Sequence, residues 1–270
     1  SASIEKDFWV CWTLQKLFSL PDWGERLTFK GGTSLSKCWQ MISRFSEDID
    51  VVIDREYLGF GDETLSNNRM KKLIKKCKQR IHEDLSPLLH SHIGNSLPAD
   101  LTWNLFPADE HEDPEQQTLL FQYPSVFVGT ISYLRPVVKI ELGARSETVP
   151  VEAPSIHPYL AEVFPDLLPD SGFSLRTIAA RRTFWEKAVL LHEETFRPSD
   201  KLRKARMSRH YYDLWCLITK GISNEAISEP ELFDRVALHN SIFFGKSWVD
   251  YESLHKGNLH LIPKAEQLTE

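Results

Sequence analysis

The stretch from Leu27 to Ile53 constrains this chain most. A short apolar run, Leu27 to Lys30, meets Gly31-Gly32-Thr33-Ser34, and a little later Ile49, Val51 and Ile53 alternate with Asp48, Asp50 and Val52. Paired glycines break a strand, and Thr33 and Ser34 are good caps for a helix running from about Leu35 to Ser43. The alternation beyond reads as a half-buried strand, and because residues two apart share a face, Asp48 and Asp50 point the same way. Strand, glycine turn, helix and acid-bearing strand together predict an α/β (α+β) fold around a mixed sheet.

The remaining segments extend that reading. Asp7 to Leu20 has apolar residues at helical spacing and stops at Pro21, and Arg69 to Leu85 predicts a helix with Leu73, Ile74, Cys77 and Ile81 inward. Its other faces carry Lys71, Lys72, Lys75, Lys76, Lys78 and Arg80. Ser125 to Leu142 reads as strand, Arg-Pro interruption, strand, with Val138, Ile140 and Leu142 on one side and Lys139 and Glu141 on the other. Five prolines between Pro150 and Pro169 mark a connection, after which Thr177 to Thr195, His210 to Thr219, Pro230 to Asn240 and Ser241 to Leu254 read as helices. The expected domains are a mixed-sheet domain over 1–150 and a helical domain over 151–270 that completes a cleft.

Composition excludes several classes. With 270 residues, 41% hydrophobic and 26% charged, the chain is neither disordered nor collagen-like. A net charge of -6 argues against indiscriminate coating of nucleic acid and leaves room for a local basic surface. The cysteines (Cys11, Cys38, Cys77, Cys216) are far apart, which suggests neither a disulfide framework nor a thiolate zinc site and fits a reducing compartment. The first segment carries Glu5, Lys6, Asp7 and Lys16, and no run approaches a membrane span, so a cytoplasmic protein is expected.

The chemistry centres on Gly31-Gly32-Thr33-Ser34, Asp48-x-Asp50 and Glu141. A strand-to-helix turn rich in glycine exposes N–H groups to an anion such as a polyphosphate. Carboxylates from neighbouring strands can hold two Mg²⁺ ions about 3.5–4 Å apart, the arrangement used for nucleotidyl transfer. Standing alone, Asp-x-Asp equally suits a turn or a solvated strand face. Ser34-Leu-Ser-Lys37 spells the S-x-x-K of penicillin-recognising enzymes, but no S-D-N or K-T-G follows. A P-loop is excluded because Ser36 replaces its second glycine and Cys38 its magnesium-binding hydroxyl. The histidines have no metal-ligand spacing, and most tryptophans occupy apolar helix positions suited to core.

FKGGTSLSK (Phe29 to Lys37) followed by RFSEDIDVVI (Arg44 to Ile53) resembles the signature of the AbiEii/AbiGii-type nucleotidyltransferase toxins of type IV toxin–antitoxin systems, in the DNA polymerase β-like superfamily. KIELG (Lys139 to Gly143), FWEKAVLLH (Phe184 to His192) and SRHYYDLWCL (Ser208 to Leu217) follow in the family's order, so matching elements span Phe8 to Trp248. The resemblance implies Mg²⁺, or Mn²⁺ in its place, on Asp48, Asp50 and Glu141, and an NTP held by Gly31, Gly32, Thr33, Ser34 and Lys37. It also implies that Lys187 contacts nucleotide phosphates and that Asp213 is the acid of an R-x-x-x-D segment in which His210 stands where many relatives have an acid. On periodicity alone, Lys187 and Asp213 are solvent-facing helix residues. The resemblance further implies a phage-defence toxin with an antitoxin partner and tRNA as acceptor, which the basic tracts Lys71 to Arg80 and Arg197 to Arg209 would suit. A protein or small-molecule acceptor, or a non-catalytic nucleotide- or partner-binding module, remains compatible with the residues.

Overall fold

The apolar stripe of the opening segment forms helix α1 (Ala2–Phe18), whose Trp9, Val10, Leu14 and Leu17 are buried. Trp9 stacks on Tyr123 and Trp12 on Phe121, so aromatic area anchors this helix to the sheet domain. The computed structural model describes residues 1–61, 66–127, 135–169, 171–201 and 206–262.

Strand β1 (Leu27–Lys30) runs directly into helix α2 (Gly31–Lys37), and β2 (Ile49–Ile53) follows after an irregular segment. The helix therefore starts four residues earlier than the sequence suggests. Gly31 adopts φ +80°, which turns the chain from strand into helix without a separate loop. Neither hydroxyl acts as the expected cap: Thr33 donates to Ser46 Oγ at 2.9 Å, and Ser34 donates to the Gly31 carbonyl at 2.9 Å.

Helix α3 (Asn67–Arg80) is amphipathic as expected, with Leu73 and Cys77 buried. It does not end at Leu85. A π-type turn over Ile81–Leu85 leads into α4 (Ser86–Gly94), a helix outside the expected set whose Pro87 sits in the first turn, where its missing N–H has no helical partner to lose.

Strands β3 (Asn104–Pro107), β4 (Thr118–Gln122) and β5 (Val137–Gly143) complete one side of the sheet. The strand expected just after Ser125 falls in part on residues 128–134, outside the described residues. Along β5, Val138, Ile140 and Leu142 are buried and Lys139 and Glu141 lie on the opposite, half-exposed face. The proline-rich stretch holds β6 (Val151–Glu152), β7 (Ser155–Ile156), the short helix α5 (Tyr159–Val163) and β8 (Phe173–Ser174), and leads to β9 (Thr177–Ile178).

Among the described residues, seven strands form one mixed sheet in the order β3-β4-β5-β2-β1-β9-β6, while β7 and β8 pair separately. β2 is parallel to β5 and antiparallel to β1; β1 is parallel to β9. This is the mixed α/β architecture expected, with α1 and α2 packed against the sheet. Because Phe29 pairs with Thr177, the chain at 177 is strand, not the start of the helix expected there.

The helices that follow are α6 (Ala180–Thr195), α7 (Ser208–Thr219), α8 (Ile222–Ser228) and α9 (Pro230–Phe243). α8 lies outside the expected set, and helix ends at Phe243 where the sequence suggests a further one to Leu254. α6 packs against the other three, with the Trp185 indole N–H donating to the Ala226 carbonyl at 3.2 Å and its ring edge-on to Phe233 at 5.0 Å. Two compact units result: one contains Ser1–Gln40 and Arg44–Thr177, the other Met41–Ser43 and the chain from Ile178 onward. The units divide at 177/178, against the expected 150, because β6, within the proline-rich stretch, and β9, after it, both join the sheet.

Candidate active site

Strand register builds the site in the first unit. Lys30 on β1 is the cross-strand partner of Asp50 on β2, and Asp50 is the partner of Glu141 on β5. Adjacent strands lie roughly 4.8 Å apart, so the register sets a lysine and two carboxylates in a row on one sheet. Asp50 and Glu141 lie opposite each other in this register, close enough for the charge on Glu141 to disfavour ionisation of Asp50.

Burial first, then the charges of Glu141 and Asp48, raise the Asp50 pKa to about 7, against the opposing pull of Lys30. Glu141 accepts from Lys139, two residues before it on the same face of β5. The nearby acids raise the Lys139 pKa, although desolvation works the other way. Lys30 also donates to Ser146 Oγ at 2.9 Å. Asp48 precedes β2, and its neighbour Glu47 is held by Lys6 of α1 at 2.6 Å, tying the acid-bearing segment to the opening helix.

The glycines border these acids. A Cβ on Gly31 would lie 2.1 Å from Asp50 Oδ2, and one on Gly32 would lie 2.8 Å from a guanidinium nitrogen of Arg44 and 3.0 Å from Ser46 Oγ. Only bare backbone lets the turn approach the Asp50 carboxylate so closely. Gly31→Ala therefore faces both a left-handed φ and a collision with Asp50. Gly59, at φ +84° with nothing within 4 Å of an added Cβ, isolates the first effect. Thermal melting should show Gly59→Ala destabilised by about 1 kcal/mol and Gly31→Ala by clearly more, with loss of nucleotidyl transfer confined to Gly31→Ala.

Lys37 is not drawn to this row. Its side chain is 4% exposed, pairs with Asp7 at 2.8 Å and lies 3.6 Å from the centre of the Tyr159 ring, while Asp7 also accepts from the Tyr159 N–H at 2.7 Å. Lys187 and Asp213 belong to the second unit and are buried, the reverse of what helix periodicity suggests. Lys187 Nζ donates to Asp213 Oδ2 at 2.8 Å and lies 3.4 Å from His210 Nδ1.

Four residues near the glycines and acids escape a reading of the sequence: Lys30, Lys139, Arg44 and Ser46. Only Lys139 has a local signal, its spacing of two from Glu141. The others depend on strand register or on a loop folding back over Gly32.

Among the described residues, no three His, Cys, Asp or Glu side chains are gathered as ready ligands for a metal ion. The donor chemistry nonetheless fits Mg²⁺. Asp50 and Glu141 supply hard carboxylate oxygens whose mutual repulsion is relieved either by a proton or by a cation.

A family model described as nucleotidyl transferase AbiEii toxin, type IV TA system, matches residues 12–267. The chain belongs to that family. It is a nucleotidyltransferase toxin of the type IV toxin–antitoxin class, which gives it an NTP as substrate and an antitoxin as counterpart. No curated protein matches it. Among solved structures, the nucleotidyltransferase toxin MenT4 from Mycobacterium tuberculosis is similar at 17% identity and a TM-score of 0.39, over 82% of this chain and 67% of that one.

Proposed function

We propose that this AbiEii-family protein transfers a nucleotide from an NTP to a hydroxyl of RNA, with tRNA as the acceptor, in a reaction that depends on Mg²⁺ or Mn²⁺. The observation that carries the reading is the row formed by Asp50 and Glu141 on parallel neighbouring strands, beside a Gly31 too close to Asp50 to bear a side chain. A bond forms between the acceptor oxygen and the α-phosphorus, the bond from that phosphorus to pyrophosphate breaks, and the acceptor hydroxyl loses a proton.

Asp50 and Glu141, joined by Asp48, would hold the divalent ion. When bound, it would polarise the α-phosphate and favour the deprotonated acceptor hydroxyl. Glu141 is the carboxylate proposed to accept that proton, and Lys30 and Lys139 counterbalance the acids. Gly31, Gly32, Thr33 and Ser34 form the phosphate-side turn, and Arg44 adds a fixed positive charge beside Gly32. Lys37, occupied by Asp7, is assigned to packing. For Lys187 and Asp213 the family motif alone supports a part in the reaction.

The exposed Lys71, Lys72, Lys75 and Lys78 of α3 support an RNA acceptor. Arg80 does not add to them, because it pairs with Asp84 at 2.7 Å and lies over the rings of Tyr57 and Trp23. Among the described residues, no helix is long and apolar enough to cross a membrane, and the proposed setting is the cytoplasm with tRNA.

The test is incubation with Mg²⁺, each α-labelled NTP in turn and total tRNA, beside an Asp48→Ala/Asp50→Ala variant. Label should enter RNA with the intact acids only. Reversing the charge of Lys71, Lys72, Lys75 and Lys78 should cut transfer while NTP binding persists. Label on protein, or none at all with NTP still bound, rejects the RNA reading in favour of another acceptor or a binding module.

A further inference from the structure

Trp9, Trp23 and Trp185 are buried, as the hydrophobic cost of an exposed indole leads one to expect, but Trp215 is 60% exposed. It sits on α7 one turn beyond Tyr212, which is also exposed, and the two rings lie 6.2 Å apart at 36°. The backbone N–H of Ser43 donates to the Tyr212 hydroxyl at 3.4 Å, which restrains that ring from its far end. Arg209 lies one turn before Tyr212, and the exposed Arg206 precedes the helix. The single carboxylate of α7, Asp213, is buried against Lys187. This face of α7 thus presents two adjacent aromatic rings, flanking cations and no exposed acid of its own.

We propose that Tyr212 and Trp215 form a stacking platform for unpaired bases of the acceptor RNA, with Arg206 and Arg209 contacting its phosphates. The proposal rests on the reading of RNA as acceptor. Every base has a π-face, so aromatic side chains hold unpaired bases with little regard to sequence, while nearby cations follow the backbone. An apolar protein partner would match Trp215 and the exposed Ile218 equally well, but it would leave the arginines without a counterpart; phosphates supply one. The spacing Arg209, Tyr212, Trp215 places the three on neighbouring turns of one helix face, so a short single-stranded segment can touch all of them.

The probe is a fluorescein-labelled single-stranded oligoribonucleotide of about six nucleotides, within the roughly 4–16 that single-strand-binding folds cover. Titration into the full chain should quench tryptophan emission. Trp215→Ala should weaken binding about tenfold or more, whereas Trp215→Phe should retain most of it and Ile218→Asp should change it little. Arg209→Ala should lower the slope of log affinity against log salt by about one. In the labelled-NTP assay, Trp215→Ala should raise KM for RNA with kcat and NTP binding preserved, and thermal melting should be unchanged. Wild-type binding by Trp215→Ala overturns the platform. So does a Trp215→Ala variant that binds oligonucleotide normally yet escapes neutralisation by the antitoxin, because the face is then a protein-docking surface. If the wild-type protein moves no label into RNA but still binds oligonucleotide through Trp215, the platform stands and the RNA-acceptor reading falls.

Discussion

Asp50→Asn is expected to lose nucleotidyl transfer by on the order of 10²–10³-fold while making the metal-free protein more stable at pH 8. Charge stabilisation worth several kcal/mol in the transition state translates into that loss of rate when a ligand of the ion is removed. The gain in stability follows from the same carboxyl. Its folded pKa of about 7 lies above the ordinary aspartate value of 3.8, because burial and the neighbouring acids disfavour the charge. Between these values the folded state holds more protons than the unfolded chain, so the contribution of Asp50 to stability is greatest at low pH and is lost as pH rises through about 7.

An amide cannot ionise, so the variant escapes that loss. Melting curves in EDTA should show Asp50→Asn above wild type at pH 8, with the difference shrinking as pH falls toward 4. Each kcal/mol relieved corresponds to about 2–4 °C. A variant that melts below wild type at pH 8 would mean that Asp50 serves the fold, and would count against its place as a site carboxylate held at a cost in stability.

The second large effect concerns Lys187 and Asp213. Lys187→Ala leaves the fully buried carboxylate of Asp213 without its lysine, and removal of one partner of a buried pair costs about 3–5 kcal/mol, on the order of 10 °C in melting temperature. Replacing both, as Lys187→Met with Asp213→Leu, removes the buried carboxylate together with its lysine and should recover most of that stability. The double variant separates two roles. If the pair only holds α6 to α7, transfer activity returns with stability. If Lys187 meets nucleotide phosphates, as the family motif implies, the restored fold remains inactive, with a raised KM for NTP. The second outcome is expected.

Features carried by local pattern are legible in the sequence itself. Alternation along Ile49 to Ile53 and Val138 to Leu142 depends on a side-chain period of two, so it shows that Lys139 and Glu141 share a face. The glycines announce a turn, but not that Gly31 is the first residue of a helix, because its φ of +80° answers to Asp50 on the next strand. The α8 helix is not legible because its seven residues, Ile222 to Ser228, present too little apolar periodicity.

The sequence by itself determined the family and the mixed-sheet class, since these reside in spacing that one strand or one turn can express. Tertiary structure decided what each charge does. The row Lys30, Asp50, Glu141 exists only through the register of three strands. Lys37 faces Asp7 because α2 packs beside α1 residues thirty positions earlier in the chain, which gives a motif lysine a structural partner. Lys187 and Asp213 sit on helices whose own periodicity places them at the surface, and they are buried because two helices bring opposite charges within 2.8 Å. Periodicity reports the face of a single element, whereas burial and pKa depend on what a second element sets against it.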